Sequence, residues 1–254
     1  MPDLWAGLAE VGLTPLQLVV LVLAGTVAGL VRGFAGFGTA MVYLPIAGQI
    51  LPPIWALVTL VIMDFFGPIP NLPRGWRDAD RPDLVRLITG MVATLPVGVA
   101  LLAVLEPEVI RYVISVLALV LTVLLVSGFR YRGPMTRPLV IGTGAVGGIT
   151  GGVAGIPGPP VILLYMASGK PAQVVRANNL VYLFVFDIFF MGLVAWRGWM
   201  ELVPVVLGLV VVLPNLLGNM AGAAMFRPER ERVYRWAAYG MIAASALSGL
   251  PLWD

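Results

Sequence analysis

Four stretches of this chain, 84–105, 109–128, 178–196 and 202–226, are apolar over lengths that approach or exceed twenty residues. A helix needs about 20 such residues to cross roughly 30 Å of hydrocarbon. Of the 254 residues, 59% are hydrophobic and 11% charged. Soluble domains run nearer half and a quarter. One core of this size cannot hide the excess, so lipid must be the solvent for much of the surface. The chain reads as one all-α integral membrane domain over 1–254. Backbone groups facing lipid have no water to bond, and helices satisfy them internally.

The absence of Cys and His removes disulfides, thiolate metal sites, cysteine nucleophiles and every triad that uses His. No metal and no cofactor is expected. Arginine outnumbers lysine fifteen to one. The net charge of +3 fits cytoplasmic loops better than nucleic acid. The N-terminal stretch MPDLWAGLAEVGLTP carries Asp3 and Glu10 and no basic residue, so it lacks the positive region of a signal peptide, and the first helix is expected to be retained. GTGAVG at 142–147 fits a dinucleotide fingerprint by letters only, because no strand precedes it and no acid follows at the required distance.

The sequence contains itself twice. Gly25, Gly29, Gly33 and Gly36 recur as Gly144, Gly148, Gly152 and Gly155, and Pro52 recurs as Pro171, all at a shift of 119. At a shift of 123, Asp64 recurs as Asp187 and Arg74-Gly75-Trp76 as Arg197-Gly198-Trp199. Leu95-Pro96 matches Leu213-Pro214, and Pro107-Glu108 with Arg111 matches Pro228-Glu229 with Arg232. Repeat one is 1–137 and repeat two 138–254. Each opens with two apolar segments parted by glycines, 16–31 and 40–51 in the first. The second segment offers roughly 18 Å of helix, too short to span. A re-entrant hairpin is expected: one arm enters, the glycines turn, and the short arm returns. Three full-length helices follow in each repeat, near 54–71, 84–105 and 109–127, then near 174–195, 201–223 and 233–250.

A hairpin plus three crossings is an odd number of passes, so repeat two is inverted. With both termini outside, Arg74, Arg77, Arg81, Arg86, Arg130, Arg132, Arg137, Lys170, Arg176, Arg227, Arg230, Arg232 and Arg235 fall on the cytoplasmic side. Only Arg111 and Arg197 fall outside, and Arg32 lies within the membrane. Four full crossings per repeat would put 227–235 opposite 74–86.

Inverted repeats with broken helices place a transporter's site near the midplane, where the breaks meet. The breaks are GFAGFGTA (33–40) and GVAGIPGPP (152–160). Irregular backbone at that depth must be buried in protein or line a wet cavity. The short arms, 39–50 and 158–168, begin inside the membrane, where helix N-termini attract anions. Gly25, Gly29 and Gly33, and Gly144, Gly148 and Gly152, read as helix-packing steps. Gly36, Gly38, Thr39, Gly155 and Gly158 read as the site. Arg32, costly in lipid, either pairs with an acid or counters an anionic substrate. Arg176, with Asn178 and Asn179, follows the second hairpin as a further candidate. Asp64 and Asp187, at matching positions, suggest proton coupling or an ion pair with Arg32 or Arg176.

These residues resemble the TauE/SafE (TSUP) family of sulfite and organosulfonate exporters. Its members carry a glycine-rich motif, an apolar stretch and a proline once in each half. The copies here are GFAGFGTAMVYLP, with Thr39 where glycine is more usual and Pro45 closing it, and GVAGIPGPPVILL, modified by Pro157, Pro159 and Pro160. VRGFAGFG and VRANNLVYLFVFD look like the branch bearing an arginine before the first motif. The resemblance covers essentially the whole chain. It implies movement of small sulfur-containing anions such as sulfite, sulfoacetate or related sulfonates; a secondary exporter in the cell inner (plasma) membrane is the expected setting. A sulfonate wants backbone donors and an arginine fork, and a carboxylate would use the same groups. Without a P-loop, ATP coupling is disfavoured. An anion channel remains an alternative to a secondary transporter, and the lack of His and Cys argues against an enzyme.

Overall fold

The computed structural model describes residues 12–128, 131, 133–165, 169–225 and 231–252, together with all but two of their side chains, those of Ala172 and Glu231. Asp3, Glu10, Arg130, Arg132, Arg227, Arg230 and the stretch 166–168 lie outside the described residues. Among those described, every regular element is helical. The first half of the chain gives α1 (Pro15–Ala35), α2 (Thr39–Ala47), α3 (Pro53–Phe65), a 3₁₀ turn (Ile69–Asn71), α4 (Leu72–Asp78), α5 (Arg81–Val104) and α6 (Pro107–Val126). From Arg137 onward come α7 (Arg137–Ala154), α8 (Gly158–Tyr165), α9 (Ala172–Trp196), α10 (Leu202–Met225) and α11 (Glu231–Gly249). Five helices, α1, α5, α6, α9 and α10, are long and apolar enough to cross a membrane, and α3 with α4 makes a sixth, bent span.

Prolines and caps set the starts. Pro15, Pro53 and Pro107 each open a helix, where the missing N–H costs nothing and φ is already helical. Thr14 and Gln17 close a reciprocal capping box on α1, the Gln17 N–H donating to Thr14 Oγ1 at 3.2 Å and the Thr14 N–H to Gln17 Oε1 at 2.8 Å. The Asp80 carboxylate caps α5 by accepting from the Asp83 N–H at 3.2 Å.

The helix expected over 54–71 is shorter. It ends at Phe65 and resumes, bent by 44°, as the 3₁₀ turn and α4. Gly67, Pro68, Pro70 and Pro73 lie together there, and three prolines in six residues cannot sustain an α-helical ladder. The first short arm is also trimmed, α2 closing at Ala47, while the described part of the second, α8, runs to Tyr165. The entering arm α1, at 21 residues, is a full-length span and not a half-helix.

The glycine steps decide how the helices sit. A Cβ on Gly29 would run into the Asn215 carbonyl, and one on Gly33 into that of Asn219. Across the other crossing, a Cβ on Gly152 would lie 2.8 Å from Gly98 Cα, and one on Gly144 would strike the Leu87 carbonyl. Two backbones meet only where no side chain intervenes. Hence α1 packs along α10 of the other repeat, and α7 along α5. Asn215 Nδ2 donates to the Gly25 carbonyl at 3.1 Å and Thr94 Oγ1 to the Ala145 carbonyl at 2.6 Å, tying each crossing. The large side chains point the other way. Leu16, Val19, Leu23 and Val27 form an exposed stripe on α1, and Leu213, Leu217 and Met220 one on α10. In lipid this costs nothing.

Register gives the directions. Gly25 sits beside Val211, Gly29 beside Asn215 and Gly33 beside Asn219, so α1 and α10 run parallel. Thr59 Oγ1 reaches the Pro204 carbonyl at 3.4 Å, and Gly208 abuts Ile62, so α3 shares that direction. Two successive long elements point the same way only if the chain returns between them. The return is α2: Gly38 lies against Val31 and Ile242, and Pro45 against Gly249. In the same manner α5, α7 and α9 run parallel, with Gly90 beside Ile141, Gly98 beside Ile149, Gly147 beside Tyr182 and Gly151 beside Phe186.

Candidate functional site

Both helix breaks open onto one cavity. Gly36 has φ +80° and Gly38 φ +103°, and α2 starts at the next residue. A Cβ on Gly36 would meet no atom within 4 Å, so the backbone angle, not space, demands glycine there. The second break differs because Pro157 stands where repeat one has Gly38, and proline cannot adopt positive φ. There Gly155, φ +64°, ends α7 alone, with the Ile156 N–H donating to the Thr150 carbonyl at 3.3 Å and Thr150 Oγ1 to the Ile156 carbonyl at 2.9 Å.

Arg32, Gly36, Gly38, Thr39, Gly155 and Gly158 all line this cavity, with Asp64, Asn179 and Asp187. Leu60, Phe37, Leu183 and Phe186 supply apolar wall. The structure does not bring Arg176 or Asn178 to it. Arg176 is exposed in the second turn of α9. Asn178 is fully buried and spoken for, accepting from the Asp80 N–H at 2.8 Å and donating to the Tyr165 hydroxyl at 2.8 Å. Adjacent helical residues point about 100° apart, so Asn179 and Asn178 cannot face one site.

Arg32 Nη1 lies 2.9 Å from Asp64 Oδ2, each side chain 19% exposed. Of the two fates open to Arg32, the ion pair is the one the structure shows. Asp64 Oδ1 and Asn179 Oδ1 are buried without a hydrogen-bond partner. Asp187, 8% exposed, has no hydrogen bond or ion pair among the described residues. The donors are equally uneven. The first turn of α2, Thr39-Ala40-Met41, presents three N–H groups with no helical partner. The first turn of α8, Gly158-Pro159-Pro160, presents only that of Gly158, because prolines have none. Most of the backbone donors and the guanidinium therefore lie on the wall built by the first half, beside Asp64, while the wall built by the second half carries the Gly158 N–H, the Asn179 amide and the Asp187 carboxyl.

Sequence reasoning used Lys170 and Arg86 for sidedness alone and missed their partners. Lys170 Nζ reaches Asp80 Oδ2 at 2.5 Å and contacts Asp83 Oδ2, while Arg86 Nη1 reaches Asp83 Oδ1 at 2.7 Å. Two acids and two bases join the start of α5 to the α8–α9 connection. The Lys170 hydrogen bond holds the Asp80 carboxyl below its usual range. Burial alone would lower the Lys170 ammonium, but Asp80 and Asp83 outweigh it and raise it. Lys170 is the sole lysine of the chain, which was the available signal.

The sulfite exporter TauE/SafE family model matches residues 21–249, from within α1 to the end of α11. The chain belongs to that family. No curated protein and no solved structure gives a significant match. As a TauE/SafE member, the chain is a multi-pass membrane protein of a transporter family, and the paired breaks, the cavity and its arginine all fall inside the matched span. GTGAVG lies wholly within α7, in no nucleotide-binding setting.

Proposed function

We propose that this protein is a secondary exporter of small sulfur-containing anions, such as sulfite, sulfoacetate or related sulfonates, working by alternating access and performing no catalysis. The observation that carries the reading is the meeting of Arg32 with the donor-rich start of α2 in a cavity formed by both breaks. An oxyanion there accepts from N–H groups at a helix start and from a planar guanidinium. To do so it must compete with Asp64, so binding draws Arg32 from one carboxylate toward another anion. Binding shared between two walls lets one repeat rock against the other.

The test is thermal stabilisation of the purified protein by sulfite, sulfoacetate and taurine, with acetate as control. Sulfite and sulfoacetate are expected to raise the melting temperature well above acetate. The double variant Arg32→Met/Asp64→Leu is expected to lose the difference. Equal stabilisation by all ligands, unchanged in the variant, refutes the site.

The repeats are read as inverted, with both termini outside and the cell inner membrane as the setting. The two parallel sets support this: α3 and α5 are consecutive spans, so α1, α3 and α10 oppose α5, α7 and α9. Cysteines introduced at Asp78 and Gly133 are expected to label from the cytoplasmic side, and those at Glu106 and Glu201 from outside. Labelling of Asp78 and Glu201 from one side excludes the arrangement.

A further inference from the structure

The two repeats match at their acids but not at their arginine. Asp64 corresponds to Asp187, and Arg32 corresponds to Gly151. Gly151 has no room for a replacement: a Cβ there would lie 2.9 Å from Phe186 Cζ and 3.0 Å from Pro157 Cβ. The Phe186 ring occupies the place an arginine would take. One guanidinium thus serves a cavity with two carboxylates, and the structure gives it to Asp64.

That leaves Asp187 more than nine-tenths buried, facing the cavity, with no ionic or hydrogen-bonding partner among the described residues. Among the described residues, the cavity holds no second cation. The facing charged groups are Arg32 from α1 and Asp64 from α3. The near turns of α7 and α8 present glycine, proline and apolar side chains besides Thr150, whose hydroxyl donates to the Ile156 carbonyl. The stretch of α5 that packs beside Ile188 and Phe189, Val92 to Pro96, carries no residue that ionises. On α9 itself, the nearby Asn179 Oδ1 is another acceptor and the Tyr182 hydroxyl is buried unpartnered. A largely buried carboxylate that lines a cavity and has no counter-charge of its own is a natural acceptor for a proton.

We propose that Asp187 is the proton-binding site of the transport cycle, and that an anion and one proton occupy the cavity together. The inference rests on the anion-transport reading. With both acids ionised, Arg32 leaves the cavity at net −1, a poor host for an anion. A proton on Asp187 makes it neutral. The anion then takes Arg32 and the α2 start, while the neutral carboxyl can donate to it from the opposite wall. Proton and anion thereby favour each other's binding, and the favour is reciprocal. Neither Asp64, already paired, nor the proline-opened start of α8 can fill this role.

Calorimetric titration of the detergent-purified protein tests this, repeated in buffers of different ionisation enthalpy. The probe is methanesulfonate, a strong-acid anion that brings no proton of its own. The wild type is expected to take up little proton at low pH, where Asp187 is already neutral, and up to about one proton per anion as the pH rises and the empty protein's Asp187 ionises, with affinity falling about tenfold per pH unit over that range. In Asp187→Asn the uptake is expected to vanish and the pH dependence with it, and Asp187→Glu is expected to restore both. Methanesulfonate binding with the same affinity and no proton uptake at every pH tested overturns the coupling and leaves the transport reading intact. Uptake persisting in Asp187→Asn overturns the assignment to Asp187. If neither methanesulfonate nor sulfite binds the wild type at any pH, the transport reading falls and the coupling with it.

Discussion

Arg32→Ala is expected to lower the melting temperature of the purified protein by on the order of 10 °C. The pair with Asp64 is four-fifths withdrawn from solvent, at 2.9 Å. Removing one member of such a pair leaves the other charge buried and unmatched, which costs about 3–5 kcal/mol. For a chain of this size, each kcal/mol is roughly 2–4 °C. Asp64 Oδ1 already has no hydrogen-bond partner, and only the Thr39 hydroxyl beside Asp64 is at hand to soften the loss. Removing both charges, in Arg32→Met/Asp64→Leu, is expected to recover most of the stability, because two apolar side chains replace two desolvated ions. It is not expected to recover anion binding. The pair would then act as a poised site and not as a staple. A single variant melting within about 2 °C of the wild type would show that the pair is not closed in the membrane protein.

Gly29→Leu is expected to prevent recovery of folded, monodisperse protein, whereas Gly192→Leu is expected to leave melting unchanged. Gly29 Cα faces the Asn215 backbone so closely that even a methyl would collide with its carbonyl. Backbone cannot rotate away as a side-chain tip can, so the whole α1–α10 crossing must open. The overpacking cost then exceeds the usual 1–3 kcal/mol. The hydrogen bond from Asn215 to Gly25 opens with it. Gly192 has no atom within 4 Å of a would-be Cβ and faces outward, so leucine there meets lipid. Circular dichroism and size exclusion compare the two. Equal behaviour would deny that backbone contact holds the repeats together.

Much of the fold was legible because each cue acted locally. The helices expected near 84–105, 109–127, 174–195 and 201–223 fall within three residues of α5, α6, α9 and α10 at each end, and glycine spacing separates packing steps from turns. The span over 54–71 was misjudged since apolar length alone does not count prolines: Pro68, Pro70 and Pro73 end α3 at Phe65. Within the candidate site, Asn178 and Asn179 illustrate the boundary. In sequence they are one polar pair. On a helix they face different surroundings, one a buried network and the other the cavity.

What the sequence determined by itself was the set of parts: a lipid-facing chain, doubled, with a broken helix in each copy, one arginine and two matching acids. Composition, length and repetition carry that much because lipid leaves the backbone few choices. What only the tertiary structure decided was how those parts face one another. It gave Arg32 to Asp64, filled the Gly151 position with the Phe186 ring, and left Asp187 without a partner. Those outcomes depend on contacts between residues tens to hundreds apart in sequence. Such contacts are set by how closely the backbones approach at Gly29, Gly33, Gly98 and Gly152, and no local pattern encodes which side chain a gap admits.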